Sequence, residues 1–400
     1  MPQPVLIAGG GPVGLIVALV LGRAGIDVEL FDKGDIVHSQ PRAATIHPAT
    51  LDILDDLGIY ALIEPQGVIC PIVNYYDGKL LLASFDHALI KDATRHPWVL
   101  QCEQDKLSRT VFQMTKSLPN VVCHTASKVV DCAQSAGGVE ITVDTGDGRQ
   151  QRHRGAYLVG ADGAGSTVRR VADIAFEGFT YPERFMIAGT TYDFAQDGYA
   201  YRNYIADPDE WYNLFKISWN GPPGVFRLVT PVFPHEPYEG PEALEMAQRK
   251  LQRFAPRRET YEIVVYDSYV VSQRVAATFR NGRILLAGDS AHLNSPIGAM
   301  GMNSGIHDAV SLADSMIRTL TGQEDDGALD RYVRQRRHVA THHVQTATIA
   351  NKQAMEQKDP AARQRYRNDM RHRAGDNNLA RQFLMRTSLI ESLRDAARIA

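Results

Sequence analysis

The chain has 400 residues, of which 44% are hydrophobic and 22% are charged, and its formal net charge is −3. This composition is typical of a globular protein of two or three domains, and the charge indicates neither a nucleic acid nor an anionic membrane as a partner. No stretch approaches the ~20 apolar residues of a membrane span, and four scattered cysteines without a C-x-x-C pair favour a cytoplasmic location.

The first predicted elements form a dinucleotide-binding fingerprint. An apolar run at 5–8 predicts a buried strand, and Gly9, Gly11 and Gly14 follow in G-x-G-x-x-G spacing before a helix pattern begins. The glycines permit a tight turn, a close approach of pyrophosphate, and close packing of helix on strand. A second apolar run ends at Asp32, whose carboxylate can accept hydrogen bonds from the ribose hydroxyls of an adenosine. These residues predict an adenine dinucleotide, either NAD or FAD.

The middle of the first half alternates between helix and hairpin patterns. The predicted elements are a helix that ends at Gly58, a hairpin over 72–85, a helix over 104–116, a second hairpin from 139, and a buried strand that runs into a loop at Asp162. The first hairpin turns at Asp77-Gly78, a strong hairpin signal. Antiparallel strands in an α/β pattern predict that the chain leaves its first domain there.

The second half begins with aromatic, turn-rich sequence over 177–274, which predicts a small antiparallel sheet with one helix over 243–254. The α/β pattern returns with a strand that runs into Gly288-Asp289, then a long helix from Gly301, and the remainder is polar and favours helix.

The predicted fold class is therefore α/β. It comprises a Rossmann-like, doubly wound parallel sheet with an antiparallel hairpin, an α+β domain with an antiparallel sheet, and a helical tail. The predicted nucleotide-binding domain is discontinuous and comprises residues 1–71, 99–176 and 275–330. The predicted substrate-binding β-sheet domain comprises 72–98 and 177–274. The predicted C-terminal helical segment comprises 331–400.

Three loops share a position at the end of an apolar strand: the glycine fingerprint with Asp32, the loop at Asp162, and the loop at Asp289. Ligands of open α/β sheets bind at the carboxyl ends of strands. One nucleotide fingerprint with two further acidic loops predicts a long ligand. A flavin dinucleotide is such a ligand, whereas a nicotinamide dinucleotide alone does not need the late loop.

With these motifs in order, the sequence resembles the single-component, FAD-dependent aromatic hydroxylases of the para-hydroxybenzoate hydroxylase type (class A). The resemblance runs from residue 4 to about 320 and is carried by Gly9-Gly-Gly-Pro-Val-Gly, Pro41-Arg-Ala, Tyr157-Leu-Val-Gly-Ala-Asp-Gly-Ala-Gly-Ser-Thr-Val-Arg, Leu286-Ala-Gly-Asp-Ser-Ala-His and Pro296-Ile-Gly-Ala-Met-Gly-Met-Asn. Each motif is modest by itself, and the ordered set is specific.

The resemblance implies roles for the matching positions. Asp32 would bind the adenosine ribose, Arg42 would lie near the flavin and its pyrophosphate, and Asp289 would bond the ribitol chain. Gln104 would contact the cofactor, with Gln101 as a rival. The full set implied for FAD is Gly9, Gly11, Pro12, Val13, Gly14, Asp32, Lys33, Arg42, Gln104, Val129, Asp162, Asp289, Gly301, Met302 and Asn303, and Pro296 and Arg42 are the residues expected at the chemistry. Asp162, Ser166 and Arg169 would serve both the flavin and a transiently bound nicotinamide.

The reaction implied by the resemblance is hydroxylation of an aromatic or heteroaromatic small molecule. NADH or NADPH reduces FAD, O₂ adds to give a flavin C4a-hydroperoxide, and an electron-rich ring takes the distal oxygen. Alternatives are the same fold with other chemistry (an epoxidase, a ring-opening oxygenase, a halogenase or a reductase) and a non-catalytic flavin-binding protein. The expected partners are the small aromatic substrate and O₂, without nucleic acid or membrane, and the expected oligomeric state is a monomer or a homodimer.

The substrate pocket is expected on the aromatic sheet. Placed on the family pattern, Tyr204 faces the pocket, period-two alternation turns Asn213, Phe215 and Ile217 inward, and Arg227 can face them from the next strand. A register slip of one residue would reverse all of these. The histidines form no set with metal-ligand spacing, so no metal is predicted. His47 is expected to have no special task, with a proton relay as the alternative.

Overall fold

The computed structural model describes residues 3–36 and 43–400, and the chain is built around two large β-sheets. Two three-stranded sheets, β11-β10-β9 and β3-β7-β4, complete the β structure. The strands are β1 (Val5–Ala8), β2 (Val28–Phe31), β3 (Thr45–Ile46), β4 (Val68–Cys70), β5 (Ile72–Asp77), β6 (Leu80–Asp86), β7 (Val99–Gln101), β8 (Val121–His124), β9 (Lys128–Ser135), β10 (Gly138–Asp144), β11 (Gln150–Gly155), β12 (Tyr157–Gly160), β13 (Phe176–Thr190), β14 (Arg202–Ala206), β15 (Tyr212–Ile217), β16 (Val225–Val232), β17 (Ile263–Ala276), β18 (Arg280–Asn281), β19 (Ile284–Leu286) and β20 (His292–Leu293).

The α-helices lie mostly around the first sheet and at the C-terminus. They are α1 (Pro12–Arg23), α2 (Pro48–Asp56), α3 (Tyr60–Ile63), α4 (Gln104–Lys116), α5 (Thr167–Val171), α6 (Gly240–Phe254), α7 (Gly301–Leu320), α8 (Gly327–His338), α9 (Thr346–Met355), α10 (Pro360–Gly375), α11 (Asn377–Thr387) and α12 (Ile390–Ala397). A π-helical segment, Val339–Gln345, joins α8 to α9. No helix in the described ranges is long and apolar enough to cross a membrane.

The first sheet has the strand order β18-β19-β12-β1-β2-β8, and its pairs are parallel apart from the short edge strand β18. Strand β1 is fully buried, as expected of a strand that is covered on both faces. A Cβ on Gly14 of α1 would meet Ile7, and a Cβ on Gly155 of β11 would meet Leu6. Because adjacent residues of a strand point to opposite faces, α1 and the β9–β11 sheet cover opposite faces of β1.

The second sheet has the order β20-β17-β13-β16-β15-β14-β5-β6. One face packs on α6 through a buried cluster that includes Met186, Leu214 and Leu251. The opposite face packs on the loop that precedes α7 and on the C-terminal helices. The sheet is larger than predicted and not wholly antiparallel, because β14 pairs with β5 in parallel. The β5–β6 hairpin comes from far away in the chain, so no tight turn constrains its direction against β14.

The C-terminal helices cover the second sheet beside this hairpin. The ring of Phe383 on α11 stacks on Phe85 of β6, with centroids 4.5 Å apart. Asp77, at the end of β5, forms ion pairs with Arg363 and Arg367 of α10. These contacts seal one face of the sheet under the tail, a position that the polar tail sequence does not reveal.

The fold class predicted from the sequence is confirmed. The predicted hairpin turns at Gly78, which has a positive φ of 56°, and the predicted long helix begins at Gly301. The predicted boundary between 330 and 331 falls within α8.

Candidate functional site

The glycine loop between β1 and α1 is closed by contacts that admit no side chain. Gly9 has a φ of +106°, and a Cβ there would lie 2.2 Å from the carbonyl oxygen of Ala161, while a Cβ on Gly14 would lie 2.0 Å from the oxygen of Gly9. A Cβ on Gly11 would meet nothing within 4 Å. The loop is therefore tight on the sheet side and open in front of the helix, as a backbone that receives a phosphate group must be.

Asp32 braces this loop from the end of β2. Its Oδ2 accepts a hydrogen bond from the backbone N–H of Gly10 at 2.7 Å, and its Oδ1 accepts one from Gly34 at 2.9 Å. The carboxylate is buried, and the adjacent Lys33 is exposed. The predicted contact of Asp32 with the ribose stays a prediction.

The N-terminus of α7 lies close to that of α1. A Cβ on Gly288 would lie 2.8 Å from Val13, and a Cβ on Gly305 of α7 would lie 2.9 Å from the same side chain. Neither Gly11 nor Met300, the N-cap residues of the two helices, supplies a side-chain hydrogen bond. The first N–H groups of a helix have no partner within the helix, and they carry partial positive charge. Two such ends therefore converge where an anionic ligand can span them.

The loop at Asp289 is held by a buried ionic network on α7 and α8. Asp308 accepts hydrogen bonds from the N–H of Gly288 at 3.0 Å, from Nε2 of His292 at 2.7 Å and from Nε of Arg336 at 2.6 Å. Burial opposes ionisation of Asp308, but the charges and hydrogen bonds of His292 and Arg336 lower its pKa to about 2. Asp289 itself is exposed between buried neighbours.

The polar side chains of the Asp162 loop form hydrogen bonds with other parts of the protein. The Asp162 carboxylate accepts hydrogen bonds from Thr167 N–H at 2.7 Å and Val168 N–H at 3.1 Å at the start of α5. Ser166 caps the same helix, and Arg169 donates to the carbonyl oxygen of Ser290 at 2.8 Å. These side chains join the loop after β12 to the loop after β19. Their predicted contacts with flavin and nicotinamide stay predictions.

The loop before α7 is anchored to the segment at β3. Asn303 accepts a hydrogen bond from the N–H of His47 at 2.9 Å and donates to the carbonyl of Thr45 at 2.8 Å. His47 Nε2 lies 2.9 Å from the carbonyl oxygen of Gly298. Burial lowers the pKa of His47 well below its usual value, with help from the charge of Arg202, so the ring is neutral. His47 is thus a buried part of the site, which its position in a loop sequence does not suggest.

The N-terminus of α4 is hydrogen-bonded to the segment that follows β15 of the second sheet. Buried Glu103 accepts hydrogen bonds from the N–H of Trp219 at 2.6 Å and from Ser218 at 3.0 Å, both just after β15. Gln104 follows it and is partly exposed, whereas Gln101 is fully buried and accepts a hydrogen bond from Thr45 at 3.0 Å. The choice between the two glutamines as cofactor ligand stays open.

The expected pocket residues lie on one face of the second sheet. Tyr204 pairs with Asn213 across β14 and β15, and Phe215 pairs with Arg227 across β15 and β16. Directly opposite residues share a face, so the shared face that alternation predicted for these residues agrees with the observed strand pairing. Ile217 continues the same alternation but packs in a separate small cluster with Ala44 and Val225.

This sheet face meets the loop that leads into α7. Tyr204 shares a buried apolar cluster with Ile297 and Met300, and Pro296 precedes them, partly exposed. The loop therefore separates the aromatic face from the α7 N-terminus.

Together these features fit a flavin dinucleotide. The tight glycine loop with Asp32 suits the adenosine and pyrophosphate end, and the exposed Asp289 and the α7 N-terminus lie where the distal end would extend. Val129 is buried on β9, and its side chain can offer an apolar contact. Pro41 and Arg42 lie outside the described residues.

One group in the described ranges has the composition of a metal site, although no metal is predicted from the sequence. The possible ligand atoms of Glu29, His124 and His153 lie within 4.8 Å of one another. The carboxylate of Glu29 already accepts hydrogen bonds from His153 at 2.8 Å and from His124 at 3.3 Å. The three residues belong to β2, β8 and β11, so these bonds join the parallel sheet to the sheet above it.

Sequence reasoning missed Arg202, Asp308 and Arg336. Arg202 lies two residues before Tyr204 in the same strand, so period-two alternation would have put it on the face that the family pattern gives to Tyr204. Asp308 and Arg336 have no such signal, because 28 residues separate them and only the packing of α7 on α8 brings them together.

The comparisons with known proteins identify the family of the chain. Residues 3–347 match the family model described as an FAD binding domain. The chain is 34% identical over 394 residues to a para-nitrophenol 4-monooxygenase from Pseudomonas sp. (strain WBC-3), covering 95% of this chain and 94% of that protein. It is 30% identical over 339 residues to the 6-hydroxy-3-succinoylpyridine 3-monooxygenase HspB from Pseudomonas putida (strain DSM 28022 / S16), covering 84% and 85% of the two chains.

A solved structure shares the whole architecture. The crystal structure of the p-nitrophenol 4-monooxygenase PnpA from Pseudomonas putida DLL-E4 has a TM-score of 0.91 to this structure at 31% identity, and the match covers 98% of each chain. The similarity therefore includes the C-terminal helices.

Proposed function

The chain belongs to the FAD-dependent aromatic hydroxylases of class A, and we propose that its substrate is a phenol or hydroxypyridine with a second substituent para to the hydroxyl group. The family match and the relatives confirm the prediction from the sequence that the chain is a flavin-dependent monooxygenase acting on an aromatic compound. The substrate class is supported by two relatives whose names describe para-disubstituted rings, p-nitrophenol and 6-hydroxy-3-succinoylpyridine.

Bound FAD supplies the transfer of two electrons from NAD(P)H to O₂ and of one oxygen atom to the ring, with water as the second product. We propose that the protein holds the two ends of FAD on the glycine loop and the α7 N-terminus. The residues proposed to contact it are those expected from the sequence: Gly9, Gly11, Pro12, Val13, Gly14, Asp32, Lys33, Arg42, Gln104, Val129, Asp162, Asp289, Gly301, Met302 and Asn303. Because the Asn303 side chain is bonded to Thr45 and His47, we assign its contact to the backbone N–H.

The observation that carries the proposed position of the substrate is the contact of the aromatic sheet face with the loop before α7. We propose that the ring binds there, with Pro296 towards the flavin and with Tyr204, Asn213, Phe215, Ile217 and Arg227 around it. The discontinuous nucleotide-binding domain and the β-sheet domain predicted from the sequence would then meet at the ring. The C-terminal helices that cover this face would exclude water from the ring-binding site, and exclusion of water limits side reactions during catalysis.

The test is oxidation of NAD(P)H by the FAD-loaded enzyme, with phenols and hydroxypyridines that differ only in the position of the second substituent. We expect para isomers to accelerate oxidation more than ortho and meta isomers, and mass spectrometry with ¹⁸O₂ to find one labelled oxygen atom in the product. Tyr204→Leu should raise KM for the ring, whereas Tyr201→Leu, at an exposed neighbour, should not. Equal rates for all three isomers would contradict the proposed substrate class.

We further propose a cytoplasmic location, which the need for NAD(P)H and the four unpaired cysteines support. Size-exclusion chromatography with light scattering distinguishes the monomer from the homodimer.

A further inference from the structure

Arg202 is a buried cation on the sheet face described above. Its side chain is 2% exposed, and its Nη2 donates a hydrogen bond to the Tyr204 hydroxyl at 3.0 Å. Among the described residues, nothing accepts a hydrogen bond from its Nε. Arginine stays protonated in proteins, so this position holds a full positive charge.

The groups around Arg202 do not neutralise that charge. Its strongest electrostatic neighbours are Tyr204, Tyr75 and Cys70, and none of them is a carboxylate. Burial raises the pKa of Cys70 to about 12, so the thiol is neutral at physiological pH. Burial also raises the pKa of Tyr75, which remains a phenol.

The two histidines near Arg202 are neutral as well. Burial lowers the pKa of His87 to about 4 and that of His47 well below its usual value, and in both the charge of Arg202 lowers it further. Bringing an isolated charge into a protein costs several kcal/mol unless an opposite charge or hydrogen bonds offset it. One hydrogen bond to Tyr204 offsets only part of this cost, so the site favours an anion.

Two buried acceptors without partners in the described ranges belong to the same part of the site. They are Nδ1 of His47 and Oδ1 of Asn213, the residue opposite Tyr204. His47 also contacts the carbonyl of Gly298 in the loop before α7. A donor that lacks an acceptor and two acceptors that lack donors thus belong to residues of the sheet face and to a residue bonded to the loop before α7, the two elements between which the proposed function places the aromatic ring.

We propose that Arg202 is the anion-binding residue of the substrate pocket and pairs with a negatively charged oxygen on the aromatic substrate. The guanidinium suits a planar oxyanion because its donors form a fixed fork. Both a phenolate and a ring carboxylate offer this chemistry. The inference deepens the proposed function and rests on it for the position of the ring.

The test measures dissociation constants for inactive, oxygen-free complexes of the FAD-loaded enzyme. One arm compares 4-hydroxybenzoate with its neutral amide, which reports on a carboxylate. The other compares 4-nitrophenol with its methyl ether, which reports on a phenolate, and the absorbance of the bound nitrophenol reports its ionisation. In Arg202→Gln we expect the anionic member of one pair to bind about ten- to a hundredfold more weakly, and the neutral member to bind as in the wild type.

Stability separates this role from a structural one. Because no carboxylate in the described ranges pairs with Arg202, the ligand-free Arg202→Gln protein should unfold at the same temperature as the wild type or higher. The anionic ligand should raise the melting temperature of the wild type and not that of the variant. Arg184→Gln is the matched control, since Arg184 lies three strands away on β13 and donates to the carbonyl of Ser268.

The inference is wrong if Arg202→Gln weakens anionic and neutral ligands equally in both pairs, or if it destabilises the ligand-free protein without changing the anionic preference. These outcomes differ from failure of the proposed function. If the wild type forms no oxygenated product from any phenol but still prefers anionic rings through Arg202, the proposed substrate class is wrong and the inference stands.

Discussion

The substitution Asp308→Asn tests whether the buried ionic network holds the loop at Asp289, which belongs to the proposed FAD site. It keeps the shape of the side chain and removes the charge that pairs with Arg336 at 2.6 Å. The fall in the pKa of Asp308 from 3.8 to about 2 corresponds to about 2 kcal/mol of stability. Stranding a buried arginine costs about 3–5 kcal/mol when its partner is removed. We therefore expect Asp308→Asn to lower the free energy of unfolding by about 3 kcal/mol.

The assay is urea unfolding of the FAD-free protein at neutral pH, followed by titration with FAD. Weaker FAD binding is expected in addition, because Asp308 also accepts the hydrogen bond from Gly288, next to Asp289. The contribution of Asp308 is complete above its unfolded pKa of 3.8 and disappears as pH falls through its folded pKa of about 2. The difference between variant and wild type should thus be constant near neutral pH.

Two controls make the result specific. Asp314→Asn removes an exposed carboxylate of the same helix, which pairs with Arg318, and should cost less than about 1 kcal/mol. The double variant Asp308→Asn/Arg336→Met removes both buried charges and should recover part of the lost stability. If the single substitution costs less than about 1 kcal/mol, or the double variant is no more stable than the single one, the network does not stabilise the loop as described.

Three further outcomes are expected. Gly14→Ala should raise the Kd for FAD at least about a hundredfold in flavin-fluorescence titrations, because the new Cβ would lie 2.0 Å from a backbone oxygen of the glycine loop. The control is Gly375→Ala, which should leave the Kd for FAD unchanged because a Cβ there has open space. Phe383→Ala, in the half-buried ring that packs on the second sheet, should cost about 2 kcal/mol and increase the NAD(P)H oxidised per product formed. Burial lowers the pKa of His87 to about 4 and that of His307 to about 3. The free energy of unfolding should therefore fall as pH drops below 6.5, by about 2 kcal/mol per residue at about pH 5. His307→Gln should make the free energy of unfolding depend less steeply on pH, and an unchanged dependence would contradict this role of His307.

The local elements could be predicted because their signals are short-range. The strand, glycine loop and helix over the first 23 residues follow from an apolar run and from glycines that the turn requires. The hairpin at Gly78 follows from its turn residues, and the start of α7 at Gly301 follows from the pattern of its apolar face. The family pattern put Tyr204 on the face to which period-two alternation turned Asn213, and the two residues do pair across β14 and β15.

The pairing of distant segments could not be predicted in the same way. Strand β5 lies beside β14 in parallel, and the tail seals the sheet through Phe383, because these contacts depend on how whole elements pack. The buried charges follow the same rule: strand alternation puts Arg202 on the face of Tyr204 but does not show that this face is removed from water, and Asp308 contacts Arg336 only when α7 packs on α8.

By itself, then, the amino-acid sequence determined where the cofactor is expected, because a dinucleotide is recognised by a short loop between consecutive elements. Only the tertiary structure decided which charged groups are removed from water, since desolvation depends on all the elements that surround a side chain. That is why a site for FAD could be predicted from motifs, whereas the buried charge of Arg202 became visible only in the folded chain.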